Sequence, residues 1–240
     1  MAYLFHLGAM LLTLLSLALF GIFLMDLSPV WGINRPEALS ADMALLTDLF
    51  LILQFGLQHS VMARQSFKKR LTRILAPKLE RSVYILASAL SLILIVWFWQ
   101  SMDGMIWEVE SKGNIYILHF FFGVGCVFAG IGVVSIKGAD FLGFQQFRVS
   151  KTTDKIEHPM FQTPFIYRVV RHPIYFGTLL VLWVHPQMSF GHFVLALGMT
   201  AYIIIGIYYE EKDLVRIYGN QYRKYQERVP MLIPGVMLGW

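Results

Sequence analysis

The chain has 240 residues, 57% of them hydrophobic, and a mean hydropathy of +0.58. That apolar content excludes an ordinary soluble domain and points to an integral membrane protein. The formal net charge of +5 gives no reason to expect a nucleic-acid partner, because the basic residues are placed as a topological signal.

In chain order, apolar blocks fall at Tyr3 to Met25, Ala44 to Ala63, Val83 to Met102 and Ile115 to Ile136, followed by a long split block from Ile174 to Tyr209. Each of the first four is close to the ~20 residues a helix needs to cross a bilayer. The split block has room for two helices turning back near Pro186 to Gly191, the first short enough to tilt or stop partway. The expected fold is therefore all-α, a polytopic membrane helix bundle of about six transmembrane helices. It forms a single domain over 1–240, with a four-helix N-terminal part (1–136) and a C-terminal part (137–240).

All but two of the 20 Lys and Arg residues lie between the second and third blocks, between the fourth and fifth, or after the last, leaving Arg35 and Lys112 for the other side. By the positive-inside rule this predicts both termini in the cytoplasm of a bacterial inner-membrane protein. The first block has no basic leader and no small-residue cleavage site, so it is expected to be a retained helix. Oligomeric state is not encoded in any visible feature.

Several motifs carry less than they suggest. "GVGCVFAG" from Gly123 contains G-x-G but sits inside an apolar helix, where small residues serve close packing better than they serve a dinucleotide. The lone Cys126 excludes an internal disulfide, and the seven histidines include no HExxH pair, so no metal site is expected. His6 and His192 are expected at the interface, and "HPMFQTP" around His158 as a loop.

"RHPIYFG" is different. Pro173 suits the first turn of a helix, which puts His172 at the cap and Tyr175 three residues on, on the same side. Arg171 and the N–H groups there form a mouth suited to a carboxylate, or else they anchor the helix at the headgroups. Glu210 and Glu211 follow directly on apolar residues where the last helix emerges. They are either a solvated helix end beside Lys212 and Arg216, or the seat of a cationic ligand. Tyr218, Tyr222 and Tyr225 recur at helical spacing as an aromatic stripe, fit to lie on the membrane surface or to close over a bound ring.

"RHPIYFG" followed by "EEKDLVRIYGNQYRKYQERVPMLIP" resembles the C-terminal signature of the isoprenylcysteine carboxyl methyltransferase and phospholipid methyltransferase superfamily. "LQHSVMAR", "ERSVYIL", "DFLGFQQF" and "LWVHPQMSFGH" resemble its nurim and NnrU-like branch, and within that the methanethiol S-methyltransferases. "FLGFQQF" departs from the expected pattern by one residue before Gly143, which leaves the register of Gln145 and Gln146 open. The resemblance implies a membrane enzyme that uses S-adenosylmethionine (AdoMet) to convert methanethiol to dimethyl sulfide at the cytoplasmic face, with a cytoplasmic C-terminal tail binding the cofactor.

On that footing the cofactor-binding residues are Arg171, His172, Pro173, Tyr175, Gly177, Glu210, Glu211 and Tyr222, with Pro230 and Pro234 turning the tail back as a lid. Arg171 faces the cofactor carboxylate, and Glu210 and Glu211 its positive groups. His59 is the candidate for taking the thiol proton; Gln58, Ser60, Tyr84 and Gln146 are candidates for the substrate site. Membrane embedding suits a small apolar thiol, with Phe120, Phe121, Phe122, Trp183 and Phe190 available to narrow a cavity. Two alternatives remain at this stage: methylation of an isoprenylcysteine carboxylate or phospholipid, and a non-catalytic nurim-like scaffold.

Overall fold

The computed structural model describes residues 1–36, 38–135 and 161–237. Its helices are α1 (Ala2–Leu24), α2 (Ala41–Ala63), α3 (Gln65–Leu71), α4 (Glu80–Phe98), α5 (Lys112–Ser135), α6 (Pro173–Trp183), α7 (Phe190–Tyr218) and α8 (Asn220–Gln226), with short 3-10 turns at Pro77–Leu79 and Phe165–Arg168. Among the described residues the one departure from an all-helical plan is a small antiparallel ladder of β1 (Met105–Glu108) and β2 (Gln187–Ser189), which sets Trp107 opposite Met188 and Glu108 opposite Gln187. The long helices keep large apolar side chains on the outside, among them Leu4, Leu14, Phe50, Trp97 and Phe120. Lipid rather than water is the solvent those faces fit. The chain is an all-α polytopic membrane helix bundle.

Two expectations about the crossings are corrected. Among the described residues five helices, not six, are long and apolar enough to span: α1, α2, α4 with the turn before it, α5 and α7. α6 has 11 residues, about 16 Å of rise against a hydrocarbon core ~30 Å thick. It cannot continue toward its N-terminus, because Pro173 already occupies the first helical position. Five full-length crossings are an odd number, which leaves the two ends of the chain on opposite faces. The placement of both termini in the cytoplasm falls with the sixth crossing.

The chain divides into two compact units. The first holds residues 1–110 and 186–199: α1 to α4, the ladder and the opening turns of α7. Here α4 packs against both α1 and α2. Phe23 of α1 meets Trp99, just past α4, edge-on at 5.8 Å. Asp48 of α2, fully buried, accepts the Gln100 N–H at 2.9 Å, giving that peptide a partner where α4 has ended. His6 is not interfacial: it is buried, with Nδ1 2.9 Å from Ser82 Oγ. His192 is buried as well.

The second unit contains α5, α6, α7 from Thr200 onward, α8 and the following tail. α5 and α6 lie against each other through small residues. A Cβ built on Gly177 would overlap the Gly125 carbonyl and stand 2.5 Å from the Ala129 nitrogen; one on Gly132 would stand 2.7 Å from Ile174 Cγ1. The contacts at Gly177 are with backbone that cannot swing aside, and the Ile174 nitrogen stands 3.1 Å from a Cβ on Gly132, so these glycines set how near the helices come. Gly125 of "GVGCVFAG" serves this packing, whereas Gly123 and Gly130 meet nothing within 4 Å.

Replacing Gly177 by Ala should therefore lower the thermal unfolding midpoint in detergent, at a cost of about 1–3 kcal/mol. Gly130→Ala, in open space on the same helix as Gly125, should leave it unchanged or slightly raised. Equal midpoints for the two variants would show that the close approach is not a constraint.

Candidate active site

In the second unit the residues of "RHPIYFG" and of the acidic pair come together. Arg171, just ahead of α6, and Glu211, on α7, are only 5% and 4% exposed. Arg171 Nε donates to Glu211 Oε1 at 2.6 Å and its Nη2 to Oε2 at 3.4 Å, while Nη1 donates to the carbonyls of Gln226 at 3.0 Å and Val229 at 2.7 Å. Glu211 also receives Gln226 Nε2 at 2.8 Å and the Tyr222 hydroxyl at 3.3 Å, and His172 Nε2 lies 3.0 Å from its Oε1. A buried carboxylate is tolerated only when nearly every lone pair is met in this way. Burial, reinforced by the charge of Glu211, raises the Tyr222 phenol well above its ordinary range, so it remains a donor.

The tail completes the arrangement. The backbone N–H groups of Arg171 and His172 donate to the carbonyls of Pro230 at 2.8 Å and Met231 at 3.1 Å. Met231 and Leu232 are buried with Ile203 and Ile207, against Tyr175 and Phe176. Those two N–H groups, part of the mouth expected for a carboxylate, are thus engaged within the chain.

Glu210 stands apart from this closed set. Its side chain is 45% exposed, it accepts the Tyr175 hydroxyl at 3.0 Å, and His172 Nδ1 is 3.8 Å away. Tyr175 stacks on the His172 ring at 5.5 Å and 25°. No Lys or Arg among the described residues pairs with Glu210. Since Arg171 and Glu211 neutralise one another, the negative charge of this cluster without a cationic partner among the described residues is that of Glu210.

The tyrosine stripe closes over a ring of the chain itself. Phe161 lies 5.2 Å from Tyr218, 5.8 Å from Tyr222 and 5.4 Å from Tyr225. The Tyr225 hydroxyl donates to the Tyr167 carbonyl, and the Tyr167 hydroxyl to the Gly132 carbonyl at 3.2 Å. These contacts hold the segment that leads into Arg171.

In the first unit, His59 near the end of α2 faces α4. Its Nδ1 lies 3.0 Å from Ser88 Oγ and its Nε2 2.7 Å from the Tyr84 hydroxyl, with Phe55 stacked on its ring at 5.5 Å. The Arg81 guanidinium sits 4.9 Å from the centre of the Tyr84 ring. Tyr84 is buried with Ala9 and Ile85, beside Met10 and Met62. Gln58 donates to the Met62 sulfur at 3.0 Å, and its amide oxygen is buried without a hydrogen-bond partner.

The sequence profile of the NnrU protein family matches residues 44–237, most of the chain, including His59, Tyr84, Arg171, Glu210 and Glu211. The chain belongs to the NnrU family. It is similar to the methanethiol S-methyltransferase of Pseudomonas deceptionensis, 40% identical over 85% of this chain and 78% of that protein. It is also similar to that of Mycobacterium tuberculosis, 35% identical over 84% and 83%. Nurim of Xenopus laevis is 30% identical over 65% of this chain and 57% of its own length. No solved structure matches this chain.

In this NnrU-family chain the fold brings together Arg171, His172, Tyr175, Glu210, Glu211 and Tyr222, while Pro173 opens α6 and Gly177 faces α5. His59 and Tyr84 touch one another; Ser60 lies one residue on from His59 in α2, and Gln146 lies outside the described residues. Sequence reasoning missed Ser88, although it follows Tyr84 by four positions and so shares its face of α4. It missed Gln226 too, which stands in the same relation to Tyr222. Partners supplied by tail carbonyls have no sequence signal at all.

Because Arg171 and Glu211 are buried and mutually satisfied, Arg171→Ala should destabilise the fold by about 3–5 kcal/mol, leaving a buried carboxylate without its cation. Glu210→Gln, at a half-exposed site, should change stability by less than ~0.5 kcal/mol. Thermal denaturation of both variants checks this, and a near-neutral Arg171→Ala would contradict it.

Proposed function

We propose that this chain is a thiol S-methyltransferase that transfers the methyl group of AdoMet to methanethiol, giving dimethyl sulfide. The observation that carries this is the match to methanethiol S-methyltransferases at 35–40% identity over most of both lengths. It coincides with a cluster whose uncommitted charge has the sign a sulfonium donor requires.

AdoMet, when bound, supplies a methyl carbon made electrophilic by the sulfonium charge. The residues present fit it in part: Glu210, held by Tyr175, suits a cationic group, and the Tyr175 ring offers a face for a cation or an aromatic ring. Arg171 and Glu211 act differently from the sequence expectation. They hold α6, α7 and the tail in register and fix His172 and Tyr222, so their contribution to the cofactor is indirect. The tail after α8 closes the start of α6 and keeps water from it.

His59 supplies the basic group for the thiol proton, since the thiolate and not the thiol is the competent nucleophile. The neighbouring side chains of Met10, Met62 and Ile85 suit a substrate consisting of one sulfur and one methyl group. A prenyl or acyl substrate would need an opening between helices, and along α5 and α6 the contact is backbone against backbone.

Purified protein given AdoMet and methanethiol should release dimethyl sulfide into the headspace. Glu210→Gln should weaken AdoMet binding about tenfold by calorimetry while retaining the melting midpoint of the parent. Bound AdoMet with no dimethyl sulfide, and methylation of an isoprenylcysteine analogue instead, would replace this function with the carboxylate one.

A further inference from the structure

Between α2 and α4 the chain carries more positive charge than its fold uses. Residues 64–81 hold seven Lys and Arg against one carboxylate, Glu80. Glu80 is itself buried, and its Oε1 stands 3.9 Å from Lys68 Nζ. Lys69, Arg70, Arg73 and Lys78 are exposed and pair with no carboxylate among the described residues. Beside them Ile74 is 85% exposed, whereas Phe67, Leu71 and Leu75 are half-buried.

The covalent frame fixes the level at which these groups lie. Arg64 caps the end of α2, and the 3-10 turn at Pro77–Leu79 leads straight into α4. Both ends of the segment are therefore tied to spans at one face of the membrane. Its backbone is satisfied locally: the Thr72 N–H donates to the Lys68 carbonyl and the Leu75 N–H to the Leu71 carbonyl, each at 2.9 Å. A segment so compact and so tethered keeps its side chains beside the lipid headgroups.

We propose that residues 64–79 form a binding surface for anionic phospholipid, in which Lys69, Arg70, Arg73 and Lys78 meet headgroup phosphates and Ile74 enters the acyl boundary. Clustered Lys and Arg directly beyond a membrane span are attracted to anionic lipid. The juxtaposition of Arg73 with Ile74 selects the partner. A nucleic acid or an acidic peptide would satisfy the cations and leave the isoleucine in water. A bilayer offers anions over hydrocarbon, which serves both kinds of side chain at once. Zwitterionic lipid covers the isoleucine but leaves the excess charge uncompensated. This surface lies apart in sequence from the Arg171 cluster, and its lipid selectivity depends on no reaction the protein performs.

The test reconstitutes the full chain in bilayers of phosphatidylglycerol and phosphatidylcholine and compares the association of spin-labelled forms of the two lipids by electron paramagnetic resonance. The parent should prefer phosphatidylglycerol about threefold at low salt, and the preference should fade at roughly 1 M salt. Arg70→Gln/Arg73→Gln, at exposed positions, should keep the parent's thermal midpoint and roughly halve the preference. Arg223→Gln/Lys224→Gln, which removes two exposed cations from α8, should leave the preference intact. A nitroxide on Ile74→Cys, in a Cys126→Ser background, should be relaxed more by oxygen than by an aqueous nickel chelate.

Equal association of the two lipids with the parent would overturn the proposal, as would an unchanged preference in Arg70→Gln/Arg73→Gln. An equal loss in the α8 pair would reduce the selectivity to net charge and remove it from this segment. A nitroxide at position 74 reached chiefly by the chelate would place the isoleucine in water and overturn the proposal too.

Discussion

The buried pairing of Arg171 with Glu211 is the constraint around which the second unit is organised. A guanidinium and a carboxylate, each almost wholly removed from solvent, tolerate that position only if their remaining donors and acceptors are met. The partners come from four places: the approach to α6, α7, α8 and the tail beyond it. No one of these elements can shift by an ångström without leaving a charge short of a hydrogen bond. The energetic demand of two ions thereby becomes a geometric specification for Tyr175 and Glu210, which lie at the edge of the same cluster.

Such a division of labour explains an otherwise puzzling redundancy. Adjacent glutamates at a helix exit look interchangeable, yet their environments differ sharply: Glu211 is buried among five donors, while Glu210 is half exposed with one hydroxyl and a more distant imidazole. One carboxylate holds the cluster together and its neighbour stays half exposed at its edge. Consecutive residues on a helix point about 100° apart, so a pair in sequence naturally serves an interior and an opening at once.

Much of this was legible in the sequence, for identifiable reasons. Spans α1, α2, α4, α5 and α7 follow from apolar length alone, and the gathering of Arg171, His172, Tyr175, Glu210 and Glu211 follows from the cost of placing such groups beside apolar blocks. The sixth crossing and the disposition of the chain ends were not legible, because counting apolar residues across Ile174 to Tyr209 does not reveal that Pro173 and Val184 confine the first helix of that block to 11 residues. The Tyr218, Tyr222 and Tyr225 stripe was visible, but not that Phe161 occupies it. Partner identity across 57 to 64 positions of chain is a tertiary fact that helical periodicity does not encode. The same holds for His59, whose neighbours Tyr84 and Ser88 lie on another helix.

The span of chain separating Arg171 from its partners bears on biosynthesis. Its carboxylate is 40 residues downstream and its carbonyl acceptors 55 and 58. During translation the arginine reaches the bilayer boundary well before any of them has left the ribosome, and until then the cation must be kept hydrated or shielded by headgroups. The contacts that neutralise Arg171 are consequently among the last of this half of the protein to form, and a nascent chain halted before Glu211 would carry an uncompensated cation at the membrane boundary.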